Sequence, residues 1–109
     1  MISAGLLSEL DSPGSKGIGK DPQAPDYFII RHEEGVTAFH NQCPHTGAPL
    51  NWQPDQFFDM DNEFILCSLH GALFRPRDGL CLRGPCVNQS LKPIPVSIDE
   101  GEIWLHLAD

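Results

Sequence analysis

Apolar positions along this chain recur in short runs, and the runs carry the two-residue period of strands. Tyr27-Phe28-Ile29-Ile30-Arg31-His32 is rich in aromatic and β-branched residues, and Gly35-Val36-Thr37-Ala38-Phe39-His40 alternates. The Glu33-Glu34-Gly35 link between them is short enough for a hairpin. Glu63-Phe64-Ile65-Leu66-Cys67 predicts a third strand. Ile94-Pro95-Val96-Ser97-Ile98 and Glu102-Ile103-Trp104-Leu105-His106-Leu107 flank Asp99-Glu100-Gly101 and predict a second hairpin, with Ile103, Leu105 and Leu107 on one face. A helical period shows only weakly, from Leu6 to Leu10. The first quarter is broken by Ser12-Pro13-Gly14-Ser15, Gly17, Gly19, Asp21-Pro22 and Ala24-Pro25, so only short strands fit there. There is no internal repeat and no low-complexity segment. The pattern predicts an all-β fold of short strands joined by loops.

Composition narrows this picture. With 109 residues the chain has the length of a single domain, 1–109, burying roughly two-thirds of its unfolded surface. Ten Gly and ten Pro disfavour long helices. Seven basic residues against fifteen acidic ones give a formal charge of -8, which argues against nucleic acid and anionic membranes as partners. No apolar run reaches the length of a membrane span, and Met1-Ile2-Ser3-Ala4-Gly5-Leu6-Leu7 does not read as a signal peptide. The expectation is a soluble cytoplasmic domain. In that setting four cysteines point to metal or redox chemistry before a disulfide framework.

The chemistry lies in two segments read as loops. Cys43-Pro44-His45-Thr46-Gly47-Ala48-Pro49-Leu50 places a Cys and a His one residue apart, and Cys67-Ser68-Leu69-His70-Gly71-Ala72-Leu73-Phe74 places them two apart. Between His45 and Cys67 lie 21 residues. Two thiolates and two imidazoles converging from two turns make a four-ligand site for a soft to borderline metal. Gly47 and Gly71 suit sharp turns and let backbone amides approach a bound anion such as sulfide.

The pair C-x-H-x-G-x-x-L and C-x-x-H-G-x-x-F resembles the Rieske iron–sulfur signature. The similarity continues through Gly79-Leu80-Cys81-Leu82-Arg83-Gly84-Pro85-Cys86, like the family's approach to a proline loop over the cluster. It extends to the final strands at Pro93-Ile94-Pro95-Val96 and Ile103-Trp104-Leu105. It covers nearly the whole chain, best from about Tyr27 to Leu107. The resemblance implies an antiparallel β-sandwich of short strands carrying a small cluster-binding subdomain formed by two loops, about 41–87, inserted between strands of a base domain. It implies a [2Fe–2S] cluster with Cys43 and Cys67 on the inner iron and His45 and His70 on the outer, more exposed one. Gly47, Leu50, Gly71, Ala72, Phe74 and Pro85 would surround it. With neutral imidazoles, two thiolates balance the charge of an oxidised diferric, two-sulfide core. One electron then adds a single negative charge in a partly buried site.

Other readings of these residues stand beside that one. A mononuclear Cys2His2 zinc site competes for the same four ligands, although zinc motifs more often pair like with like within a loop. His32, His40 and His106 fall in predicted strands and read as structural histidines. Nothing in their spacing suggests a two-His, one-carboxylate iron site. Cys81 and Cys86 lie five positions apart, so a disulfide and two thiols are both open, with thiols the expectation in a reducing compartment. Trp52, Phe57 and Phe58 read as core or cover before a docking patch. Asp55, Asp59, Asp61 and Glu63 read as a solvated, extended linker.

Among Rieske types, the respiratory form carries two further loop cysteines. The matching positions here are Ala48 and Leu69. Terminal oxygenases carry a much larger catalytic domain. The resemblance therefore implies a small ferredoxin-like carrier with no catalytic residue of its own, taking one electron from a flavoprotein reductase and passing it to a terminal oxygenase or similar acceptor. A non-diffusing subunit of a larger reductase, such as a nitrite reductase, and a redox-sensing module are the alternatives. High-potential members place hydroxyl donors where this chain has Ala72 and Phe74. That implies a midpoint near the low end of the family's range of about -150 to +300 mV.

Overall fold

The computed structural model describes residues 2–11, 14–21, 23, 25–33, 35–44, 49–51, 55–59, 63–67, 71–84 and 87–107. They form ten short strands: β1 Ile2–Leu6, β2 Gly14–Ile18, β3 Tyr27–His32, β4 Gly35–His40, β5 Ile65–Cys67, β6 Ala72–Phe74, β7 Cys81–Arg83, β8 Pro93–Ile94, β9 Val96–Asp99 and β10 Glu102–Leu105. A single 3-10 turn, Leu7–Glu9, falls where the weak helical period was read. Every strand pair among the described residues is antiparallel. The strands form three sheets, ordered β1-β10-β9, β2-β3-β4-β8 and β5-β6-β7.

The central sheet separates two cores. In β3, Phe28, Ile29 and Ile30 are all fully buried. Phe28 and Ile30 face one cluster of buried residues, and Ile29 faces the other. In β4, Phe39 and Ala38 divide in the same way. A strand covered on both faces reads as a continuous apolar run, which explains why Phe28-Ile29-Ile30 does not alternate. The Ile29 side packs against Ala4, Ile103 and Leu105 of the β1-β10-β9 sheet, giving a sandwich. The Phe28 side carries the third sheet. Phe28 stacks on Phe57, ring centroids 4.3 Å apart and 8° from parallel, and meets Phe39 at 5.7 Å across the β3–β4 hairpin. Offset aromatic contacts of this kind add to the area they bury.

The predicted β3–β4 hairpin forms in full register, from Tyr27 opposite His40 to His32 opposite Gly35. The predicted run Ile94 to Ile98 does not stay whole. It divides at Pro95 into β8, paired with β4, and β9, paired with β10. Proline has no N–H to continue a ladder, and the chain changes sheets there. β10 ends at Leu105, leaving His106 beyond the strand. Strand β2, with sequence GSKGI, pairs along its whole length with β3. Arg31 anchors the N-terminal segment to this sheet through Nη1, which donates to the carbonyls of Leu7 at 3.0 Å and Leu10 at 2.8 Å.

Within the acidic stretch, Asp55 and Asp59 are tied to the fold by hydrogen bonds. The Gly17 N–H donates to Asp55 Oδ1 at 2.8 Å, and Ser15 Oγ donates to the Asp55 carbonyl at 2.6 Å. Asp59 Oδ1 accepts from the amides of Glu63 at 3.0 Å and Phe64 at 3.3 Å, closing the turn into β5. Both carboxylates are consumed by local backbone donors, the ordinary reason for aspartate in turns. Asp61 and Trp52 lie outside the described residues, whereas Phe57 and Phe58 are core.

Candidate cluster site

Strands β4 and β8 are neighbours in the central sheet, yet some fifty residues separate them in sequence. That excursion contains both Cys-His motifs. It leaves β4 at His40, runs through Cys43 and Leu50, and returns along residues 57–59. These lie antiparallel to β5, with Phe58 bridged to Ile65 and the Leu66 N–H donating to the Phe57 carbonyl at 2.8 Å. It then forms the β5-β6-β7 sheet.

The second motif is not simply a loop, as the sequence suggested. Cys67 ends β5, and Ala72, Leu73 and Phe74 form β6, so the motif is a β-hairpin with Cys67 directly opposite Ala72. The Gly71 N–H donates to the Cys67 carbonyl at 2.8 Å, and Gly71 adopts φ +70, a left-handed conformation that favours glycine. A Cβ added at Gly71 would meet nothing within 4 Å among the described residues. From the other side, β7 brings Cys81 opposite Phe74, and the turn after it lays Gly84 against Ala72. The Cys81 thiol donates to the Arg83 carbonyl at 3.3 Å. Cys86, and with it the question of a Cys81–Cys86 bond, lies outside the described residues.

Cys43 comes from the start of this excursion and Cys67 from its middle, and both are buried within one apolar cluster with Leu50, Phe57, Ile65, Ala72 and Phe74. The candidate ligands His45 and His70, like Gly47 and Pro85, lie outside the described residues. Among the described residues no group of three or more His, Cys, Asp or Glu gathers as a metal site, so the two thiols are the described part of the candidate centre. Two sulfur donors in apolar surroundings are the chemistry a sulfide-bridged iron centre needs.

Sequence reading missed one buried polar residue, Asn41, between β4 and Cys43. Its side chain is 4% exposed. Oδ1 accepts the Leu50 N–H at 2.8 Å, and Nδ2 donates to the Pro25 carbonyl at 2.9 Å and to Asn51 Oδ1 at 3.0 Å. Its only signal in the sequence is a pair of amides, Asn41-Gln42, between a strand and a Cys motif.

The remaining histidines that the structure describes do not join the cysteines. His40 packs edge-on against Tyr27 at 5.2 Å. It lines a surface groove of about 280 Å³ with Lys92, Pro93, Ile94, Pro95, His106 and Leu107. Burial, then the nearby Lys92 charge, lowers the His40 pKa from its usual value. His106 Nε2 lies 2.6 Å from Ser97 Oγ.

A family model for the Rieske [2Fe–2S] domain matches residues 7–98. The chain belongs to the Rieske [2Fe–2S] family. Its cofactor is therefore the [2Fe–2S] cluster and not a single zinc, and the four-ligand alternative left open by the motifs falls. No curated protein matches the sequence. Some of the solved structures it matches, ferredoxins among them, are covered over nearly their full length. The ferredoxin of carbazole 1,9a-dioxygenase from Nocardioides aromaticivorans IC177 is 25% identical, with 96% of this chain and 97% of that one covered at a TM-score of 0.69. The Sphingomonas yanoikuyae B1 ferredoxin is 19% identical, with 98% of each chain covered at 0.74. The terminal oxygenase of carbazole 1,9a-dioxygenase from Novosphingobium sp. KA1 is 20% identical and superposes at 0.77, but this chain covers only 30% of it. The two less similar structures share the all-β Rieske fold with this chain. No helix among the described residues is long and apolar enough to cross a membrane.

Proposed function

We propose that this Rieske protein is a one-electron carrier, with Cys43, His45, Cys67 and His70 holding its [2Fe–2S] cluster. When bound, the cluster supplies a single-electron couple at a potential tuned by its surroundings. The observation that carries the reading is the near-complete, two-way match to oxygenase-system ferredoxins, set against a match to less than a third of a terminal oxygenase chain.

The chain's own residues account for the rest. The Cys43 and Cys67 thiolates, near the start and the middle of the 41–87 segment, the cluster-binding part, would anchor the centre to the apolar cluster against the central sheet. Phe57, Ile65 and Phe74 keep water from that side. By the resemblance, His45 and His70 would hold the outer iron at the exposed edge through which electrons would pass, and Gly47, Leu50, Gly71, Ala72, Phe74 and Pro85 would surround the site. The donor is a flavoprotein reductase and the acceptor a terminal oxygenase, in the cytoplasm. A fixed subunit of a larger reductase finds no supporting observation.

The test is direct. The purified protein should contain about two irons and two acid-labile sulfides per chain. Replacing Cys43, His45, Cys67 or His70 should abolish or severely damage the cluster. Rapid reduction by a flavin reductase and reoxidation by an oxygenase support the carrier. Recovery from the native host only as part of a stable large complex would contradict it.

A further inference from the structure

We infer that Asn41 is a positioning residue for the first cluster-binding loop: its carboxamide latches the two ends of that loop together and ties them to the 23–25 turn. The inference rests on the proposal that Cys43 is a ligand, and it adds a residue that neither motif contains.

The geometry is specific. Cys43 sits two residues after Asn41, and Leu50 closes the same loop; both are buried in one apolar cluster. The Leu50 N–H is therefore cut off from water and needs an acceptor inside the protein, which Asn41 Oδ1 supplies at 2.8 Å. Asn41 Nδ2 spends both protons, one on the Pro25 carbonyl at 2.9 Å and one on Asn51 Oδ1 at 3.0 Å. Asn51 in turn donates from Nδ2 to the Gln23 carbonyl at 3.0 Å. The Asn41 backbone N–H is held by the Asp26 carbonyl at 3.0 Å. Three segments (residues 23–26, the end of β4 and the loop's closing residues) thus meet on one buried side chain. Only an amide offers an acceptor and two donors in this arrangement without charge. A carboxylate would lose both donors and bury a charge, and an alanine would strand the Leu50 N–H.

A group holding a ligand loop at its base governs how the loop's ligands present themselves, so its loss should appear in the cluster's electronic signature. The experiment compares wild type with Asn41→Ala, Asn51→Ala and Asn51→Asp as holoproteins. Asn51→Asp keeps the acceptor for Asn41 Nδ2 and gives up the donor to the Gln23 carbonyl, whereas Asn51→Ala removes both. Hydrogen–deuterium exchange by mass spectrometry should show the 42–51 segment of Asn41→Ala exchanging about tenfold faster or more, with β3 and β10 unchanged. The reduced protein's EPR spectrum should broaden or split into more than one set of g values in Asn41→Ala and, more weakly, in Asn51→Ala. Asn51→Asp should lie closer to wild type than Asn51→Ala. Should Asn41→Ala fail to load its cluster or fold, the Asn51 pair decides the matter, because Asn51 is half-exposed and its replacement leaves the core intact. Wild-type exchange and wild-type EPR in both alanine variants overturn the latch. Full cluster content in Cys43→Ala would overturn the ligand proposal instead, and the exchange result would be unaffected by it.

Discussion

Gly84 lies against Ala72 so closely that a Cβ on the glycine would sit 2.9 Å from the alanine's Cβ and 2.8 Å from its Cα. Ala72 is the residue directly opposite Cys67, so the turn after β7 presses on the hairpin that carries the second cysteine. Gly84 also has φ +111, where L side chains are strained. Gly84→Ala therefore meets both a backbone penalty and a clash with a fully buried neighbour. A loss of about 1–3 kcal/mol in stability is expected. Faster loss of the cluster's visible absorbance on mild heating should accompany it. Unchanged bleaching kinetics would show that the turn does not bear on the hairpin.

Ala72 and Phe74 face the same side of β6, and both are fully buried. Hydroxyls at these positions are the devices that, by the resemblance, raise the potential of Rieske centres. A donor to the cluster's sulfurs favours the extra negative charge of the reduced state. For one electron, about 59 mV corresponds to a tenfold change in equilibrium constant, the size of a modest charge-assisted hydrogen bond. Wild type should titrate below zero, and Ala72→Ser and Phe74→Tyr should each raise the midpoint by tens of millivolts, more so together. Potentiometric titration reads this directly. A wild-type midpoint well above zero would contradict the low-potential assignment.

How much of this was legible beforehand varied with the number of residues that carried each signal. The β3–β4 hairpin was visible because twelve strand residues favour it and only one register keeps Phe28 and Phe39 together. The β6 and β7 strands were not, because three-residue strands between glycines hold no period to detect. Strand β2 has one large apolar residue, Ile18, and is held by β3 and Asp55 more than by its own pattern. Cys43 and Cys67 stand out in the sequence because metal chemistry demands particular residue types at fixed spacing, and the fold buries both in one cluster. Asn41 was not, because a buried hydrogen-bond hub is defined by partners distant in sequence.

The acidic stretch gives a prediction opposite to the one its charges suggest. Asp55 and Asp59 look like steering groups for a partner, but each accepts backbone hydrogen bonds, and Asp55 has φ 64. Asparagine tolerates that conformation and keeps an acceptor, so Asp55→Asn should melt near wild type. Asp55→Ala loses the bond to Gly17 as well and should cost about 1–2 kcal/mol by thermal denaturation. If reduction by the reductase at low ionic strength slows in Asp55→Asn while its melting stays normal, the carboxylate's charge, not its hydrogen bond, is what matters.

His40 supplies a pH dependence whose sign follows from its surroundings. Burial and, secondarily, the Lys92 charge lower its pKa from 6.5, so the folded chain takes up this proton less readily than the unfolded chain. The stability His40 contributes is then fully present above its unfolded pKa and is lost as pH falls through the lower folded value. Carbon-detected NMR of the oxidised holoprotein should place the His40 midpoint below 6.5. Lys92→Gln removes the charge but leaves the packing against Tyr27, so it should raise the midpoint only part of the way back. Full restoration in Lys92→Gln would make the charge, not burial, the main cause. No change at all would remove Lys92 from the account, leaving the desolvation beside Tyr27 to hold the imidazole neutral.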